Sequence, residues 1–277
     1  MNSLVQLLFH LLCRKDTSIA DTYDEDYFRH GFAETTLYFQ RLDNRVDFVD
    51  KSVLDVGCGY GTTCIYMALH GARKVMGIDI DAHHIQFART KLCSDYSELV
   101  SKVEFKVVTE PRQLGGEKFD IICSKDSFEH IADPQKYLHD LQEYVAEDGI
   151  IVIGFGPLWK SPYGGHIHFM TPLPWAHLLF PEQVIMRERR RFRPEESAQT
   201  FAEVKGGLNK MTLAKFQAAI KNTSLQPLYL RTNVHQRKLT RLFSVLRHIP
   251  WCKEYFTFNI YSIWRCSTSK YIDINVD

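Results

Sequence analysis

The chain has 277 residues, 45% of them hydrophobic and 24% charged, the composition of an ordinary soluble globular protein, either one enlarged domain or a domain with a lid. A formal net charge of +1 gives no global pull toward nucleic acid or an anionic membrane. The seven cysteines include no C-x-x-C pair and read as buried or reduced thiols of a cytoplasmic protein.

In chain order, residues 3–12 are apolar but too short to span a bilayer as a helix. No positive segment precedes them and no small-residue cleavage site follows, which argues against a signal peptide. They read as a helix packed on the main domain, with a membrane-surface anchor as the alternative. Residues 16–50 are rich in aromatics and acids, and Leu37, Tyr38, Arg41 and Leu42 suggest a helix leading into the first strand. Val53-Leu54-Asp55-Val56 then reads as a buried strand ending in the turn Gly57-Cys58-Gly59-Tyr60-Gly61. Glycines let such a turn bend sharply and approach a ligand without a Cβ in the way. The spacing is G-x-G-x-G, not the G-x-G-x-x-G of dinucleotide sites, and Asp55 would repel a pyrophosphate. A nucleoside with a positively charged tail and no phosphates is the ligand favoured here. Asp55 would attract its ammonium or order the turn.

Beyond the turn, Cys64, Ile65, Ala68 and Leu69 form a helical stripe that stops near Gly71. Strands are expected over 74–80, 103–108, 119–124 and 149–156. Asp81 and Asp133 are helix caps, the latter followed by proline at the first helical position. Such alternation predicts an α/β fold with a mostly parallel sheet, right-handed crossovers and ligands at the carboxyl ends of the strands. Asp79, at the end of the second strand, can accept both ribose hydroxyl protons, with Ile80 lying against the adenine. After the fifth strand the alternation breaks. Residues 157–206 are proline-rich, aromatic and basic, too long for a plain connection, and read as an inserted lid or substrate module. A helix resumes at Thr212, and strands over 225–232 and 256–266 close the chain, separated by a helix carrying Leu239, Leu242, Phe243 and Leu246.

Three motifs together carry a resemblance. Asp55 through Gly61 is similar to the first motif of the class I S-adenosylmethionine-dependent methyltransferases, and Gly77-Ile78-Asp79-Ile80-Asp81 to their second. Phe119 through Cys123 and Phe128-Glu129-His130-Ile131 resemble the fourth-strand region of the small-molecule branch that includes ubiquinone-biosynthesis enzymes. The likeness holds from about residue 51 to residue 156. It implies a Rossmann-like sheet of seven strands with helices on both faces, the last two strands forming an antiparallel hairpin. It also implies S-adenosyl-L-methionine as cofactor, held by Asp55, Gly57, Cys58, Gly59, Gly61, Asp79 and Ile80. Thr109-Glu110 departs from the Gly-Asp-Ala type often seen there. In relatives the segment before the first motif folds over the cofactor or substrate, which makes Tyr23 and Tyr27 candidate lid contacts. The chain then divides into an N-terminal helical cap (1–50), a cofactor-binding core (51–156), the inserted lid (157–206) and the remaining sheet (207–277).

Methyl transfer needs alignment and, for a hydroxyl acceptor, a base just past the fourth or fifth strand. His130 is one candidate. His166 and His168, beside Tyr163, are the others; their H-x-H spacing would place both rings on one face of an extended segment. Two histidines alone mark no metal site. The aromatics Trp159, Tyr163, Phe169 and Trp175 are expected to wall an acceptor pocket. No Asn-Pro-Pro-Tyr, Asp-Pro-Pro-Tyr or Pro-Cys occurs, which argues against DNA-base chemistry. Arg187 through Arg193 is a solvated face or a site for an anionic partner. The expected reaction is methyl transfer to oxygen or nitrogen of a small molecule. A protein or nucleic-acid acceptor, and a non-catalytic cofactor-binding subunit, are the alternatives.

Overall fold

A computed structural model of the protein describes residues 3–16, 23–109, 111–234, 238–249 and 251–266. Helices α1 (Ser3–Leu12) and α2 (Tyr23–Arg41) precede strand β1 (Ser52–Val56). There follow α3 (Thr62–Leu69), β2 (Lys74–Asp79), α4 (Ala82–Asp95), β3 (Val103–Val107), β4 (Phe119–Lys125), α5 (Pro134–Tyr144) and β5 (Val145–Phe155). Beyond β5 lie α6 (Ala176–Leu179), α7 (Glu182–Phe192), α8 (Leu213–Lys221), β6 (Leu225–Thr232), α9 (Lys238–Leu246) and β7 (Ile260–Cys266). The strands form one sheet in the order β3-β2-β1-β4-β5-β7-β6. β1 to β5 pair in parallel and β7 is antiparallel to both neighbours, which gives the expected seven-stranded Rossmann-like sheet.

Strand alternation divides the apolar residues between two faces. Val53, Val75, Ile121 and Val152 meet α2, α3 and α4, while Leu54, Met76, Ile122 and Ile151 meet α5 and α8. Asp81 and Asp133 cap the helices they were expected to start, and Thr212 caps the helix that resumes there. Asp81 accepts from His83 N at 2.9 Å, Asp133 from Lys136 N at 3.0 Å and Thr212 from Lys215 N at 3.2 Å, each cap worth about 1 kcal/mol. Strand order reverses between β1 and β4, which opens a crevice at their carboxyl ends.

Two boundaries move. The fifth strand begins at Val145, because Val145 pairs with Phe119 across the ladder. The seventh begins at Ile260, because Phe256 and Phe258 stack on Phe243 of α9, with ring centroids 5.4 and 5.0 Å apart, before the chain enters the sheet.

The first 50 residues, grouped by sequence as one cap, divide between two places. α2 packs on the sheet through Phe28, Tyr38 and Phe39. Phe9 of α1, fully buried, joins Ile167, Ile185, Met186, Phe192 and Phe201 in a core belonging to the segment between β5 and α8. That segment therefore has a hydrophobic core of its own. Leu208 packs in the same core. Among the described residues no helix is long and apolar enough to cross a membrane.

Candidate active site

The glycine turn leaves β1 with positive φ at Gly57, Gly59 and Gly61. Gly61 is required by packing, since a Cβ there would stand 2.5 Å from the Phe105 ring. At Gly59 a Cβ would meet nothing within 4 Å, so this residue faces open space. The N–H groups of Gly57 and Cys58 both donate to the Ile78 carbonyl, at 2.8 and 3.0 Å, and that of Gly61 to Cys58 O at 2.9 Å. Phosphate cradles aim such N–H groups at the anion; here they are spent within the protein. The turn suits a ligand without phosphates.

Asp79, at the end of β2, accepts from Gly59 N and Asp81 N at 2.9 Å each. Burial raises its pKa, but His84, 3.9 Å away, and these two N–H groups outweigh burial and hold the carboxyl below its ordinary value. A carboxylate has about four lone-pair sites, so those left over remain to accept ribose hydroxyls. Ile80, 70% exposed, offers an apolar surface beside it. Asp55 is 1% exposed and sits behind the turn, where Cys64 Sγ donates to it at 3.2 Å. Of its two expected roles, the geometry supports ordering the turn. The Cys58 thiol is buried and its pKa raised by that burial. The group these residues fit is a nucleoside with a non-phosphate tail.

The start of α2 lies across this turn. Tyr60 Oη donates to Asp24 at 2.6 Å, and Tyr27 packs on the Tyr60 ring at 5.2 Å. The side chain of Tyr23, and Glu110 beyond β3, lie outside the described residues.

Past β4 the chain turns through Phe128–His130 toward the insert. Asn209 fastens the two segments together, its Nδ2 donating to Phe128 O and Ile131 O at 2.8 Å and its N–H to Glu129 O at 2.9 Å. His130 Nδ1 lies 2.6 Å from Gly207 O. A carbonyl only accepts, so Nδ1 carries a proton, and in the neutral ring Nε2 holds the lone pair. The His166 ring stands edge-on to His130, with centroids 5.7 Å apart. Burial first, then the neighbouring His130 and His168, push its pKa down to about 4, so His166 is neutral near pH 7.

The extended H-x-H segment is not formed. Residues 161–170 are a series of turns, His166 has φ +52°, and His168 is exposed while His166 is turned inward. Tyr163 is half-buried in the same turns. Most of the expected wall aromatics knit the insert together instead. Trp159 and Phe169 pack on its core, and Trp175 packs against Phe256 at 5.8 Å. Among the described residues no group of three or more His, Cys, Asp or Glu side chains could hold a metal ion.

Sequence reasoning passed over Glu129. It is 4% exposed, and Oε2 is buried without a hydrogen-bond partner. It lines a cavity of about 10 Å³ with Pro157, Trp159, Gly164, Leu208, Lys210 and Met211, room for about one water. Burial and then the Asp126 carboxylate raise its pKa. The one sequence signal was an acid set between apolar Phe128 and Ile131 at a strand end. A larger open groove of about 650 Å³, lined by Arg73, Lys74, Val103 and Glu104 among others, lies at the amino ends of the strands, opposite this crevice.

The methyltransferase-domain family matches residues 24–155. Residues 24–155 are an S-adenosylmethionine-dependent methyltransferase domain. Over 145 residues it is 30% identical to the ubiquinone biosynthesis O-methyltransferase of Neisseria meningitidis, covering 51% of this chain and 58% of that protein. The chain thus spans little more than half the length of that curated relative. A putative S-adenosylmethionine-dependent methyltransferase from Listeria monocytogenes has the same fold at 19% identity, TM-score 0.51, over 85% of this chain and 99% of that one. So does the [4+2]-cyclase SpnF, at 13% identity, TM-score 0.54, over 96% and 93%. The family match ends at the last residue of β5. The segment from Pro157 to Met211 lies outside it.

Proposed function

We propose that the chain methylates oxygen or nitrogen of a small-molecule acceptor held between the carboxyl ends of β4 and β5 and the insert. S-adenosylmethionine, when bound, supplies an activated methyl group on a sulfonium. The chain's own part is then to orient the acceptor, exclude water and take a proton from a hydroxyl or ammonium. One observation carries the reading: the Gly207 carbonyl fixes a proton of His130 on Nδ1, which in the neutral ring leaves Nε2 as a base at the end of β4. His166, neutral and inward-facing, stands beside it. Residues 157–206 serve as the lid over the cofactor-binding core, and α2 covers the turn through Asp24 and Tyr27.

The test is turnover to S-adenosylhomocysteine with a panel of hydroxylated and aminated acceptors. His130→Ala is expected to keep cofactor affinity and lose about 10² to 10⁴ in kcat. If His130→Ala, His166→Ala and His168→Ala all turn over like the wild type, no histidine is the base, and Glu129→Gln becomes the variant to measure. The second reading is a non-catalytic cofactor-binding partner subunit. Cofactor binding without turnover on any acceptor would favour it.

A further inference from the structure

Two sequence features take no part in the site: the apolar run at residues 3–12 and the arginine run at 187–193. The fold brings them together. α1 lies on α7, where Arg191 Nη1 is 2.9 Å from His10 Nδ1, and His10 Nδ1 is 3.0 Å from Glu188 Oε1. The inward side of α1 is Val5, Phe9 and Cys13, at four-residue spacing. Its other side should be polar if it faced water alone. Instead Leu4, Leu7, Leu8, Leu11 and Leu12 are 43–71% exposed, and residues 3–15 contain no Asp or Glu. Leu178 and Leu179 of α6 extend the surface, since Phe180, the next residue, packs on Phe9 with centroids 4.6 Å apart. Arg14 and Lys15 at the end of α1, and Arg187 and Arg190 on α7, are exposed along the same body. The acids of α7 are engaged within the protein. Glu182 binds Phe201 N and Lys210 Nζ, and Glu188 binds Arg191 and His10.

We infer that this face docks on the surface of an anionic lipid bilayer, with the leucines of α1 entering the acyl boundary and the arginines and Lys15 meeting headgroups. A contiguous exposed apolar surface on a folded protein marks an interaction site. An acid-free apolar helix rimmed by basic residues is the pattern of a helix lying in the membrane interface. Ten residues of helix are half of what a span needs, so α1 lies on the surface and does not cross it. A second copy of the chain is the poorer occupant. A two-fold contact over these leucines would set the basic rim of one copy against that of the other.

The experiment is co-sedimentation of the full chain with phosphatidylcholine vesicles, with and without phosphatidylglycerol, at low and high salt. The wild type is expected to sediment with the anionic vesicles, less so as salt rises. Leu7→Glu with Leu11→Glu should lower the bound fraction at least about tenfold. Leu11→Glu alone guards against misfolding, and unchanged S-adenosylhomocysteine affinity and melting temperature show the fold is intact. Arg187→Gln with Arg190→Gln should weaken the dependence on phosphatidylglycerol. The inference falls if the wild type ignores anionic vesicles, or if the leucine variants bind them like the wild type. It also falls if light scattering finds a dimer that the leucine variants break.

Discussion

Gly59 and Gly61 share a positive φ but have different surroundings, and that difference separates folding from ligand binding. An alanine at Gly61 places its Cβ against Phe105 and Ala88, an overpacking cost of about 1–3 kcal/mol. At Gly59 the added methyl enters open space, and the left-handed backbone costs about 1–2 kcal/mol. Gly61→Ala is therefore expected to lower the melting temperature most, while Gly59→Ala mainly loses cofactor affinity, from a micromolar starting point of about 8 kcal/mol. Asp79→Ala combines both effects, because two backbone N–H groups lose their acceptor at about 1–3 kcal/mol each and the ribose hydroxyls lose theirs. Calorimetry with S-adenosylhomocysteine beside thermal melts of the three variants decides the matter. Wild-type affinity in Gly59→Ala would mean that the cofactor does not cross the turn there.

At the scale of one element, α7 shows why a charge run is not a uniform surface. Arg189 is buried and meets Glu196 through Nε and Nη2 at 2.8 and 3.0 Å, with its guanidinium 5.1 Å from the centre of the Phe169 ring. Arg190 lies outside, bonded to Gln199 at 2.8 Å. Removing one partner of a largely buried pair leaves an uncompensated charge, at about 3 kcal/mol. Arg189→Gln should accordingly destabilise the insert, seen as faster proteolysis within residues 157–206, whereas Arg190→Gln should not. Equal proteolysis of the two variants would show that the Arg189–Glu196 pair does not hold the insert together. Replacing the whole run, as its sequence invites, would mix a folding defect with any effect on an anionic partner.

Across the whole molecule, two buried groups set opposing pH slopes. Burial pushes Asp55 up to about 6 from an ordinary 3.8, so the folded state binds the extra proton and stability falls as pH rises through that window. Burial pushes His166 down to about 4 from 6.5, so the unfolded state binds the extra proton and stability is lost as pH falls through 6.5 toward 4. The contributions largely cancel between about 4 and 6. Denaturant melts across that range should show Asp55→Asn gaining stability with rising pH relative to the wild type, and His166→Asn losing it. Parallel pH profiles for both variants and the wild type would place neither group in the ionisation state assigned to it.

The strands of the sheet, the caps at Asp81 and Asp133, the helix that resumes at Thr212, and the glycine turn with Asp79 were legible in the residues, because each rests on local period, local backbone geometry or position at a strand end. What took tertiary structure was everything decided by segments distant in the chain. The base-competent tautomer of His130 depends on a carbonyl 77 residues away. The burial of Glu129 depends on Pro157, Trp159, Leu208 and Met211, and the turns that part His166 from His168 belong to an insert with its own core. The leucine face and the arginine run, with His10 and Arg191 181 positions apart, become one surface only when α1 packs on α7. Periodicity states which residues seek burial; the partner that buries or exposes them is fixed by long-range packing.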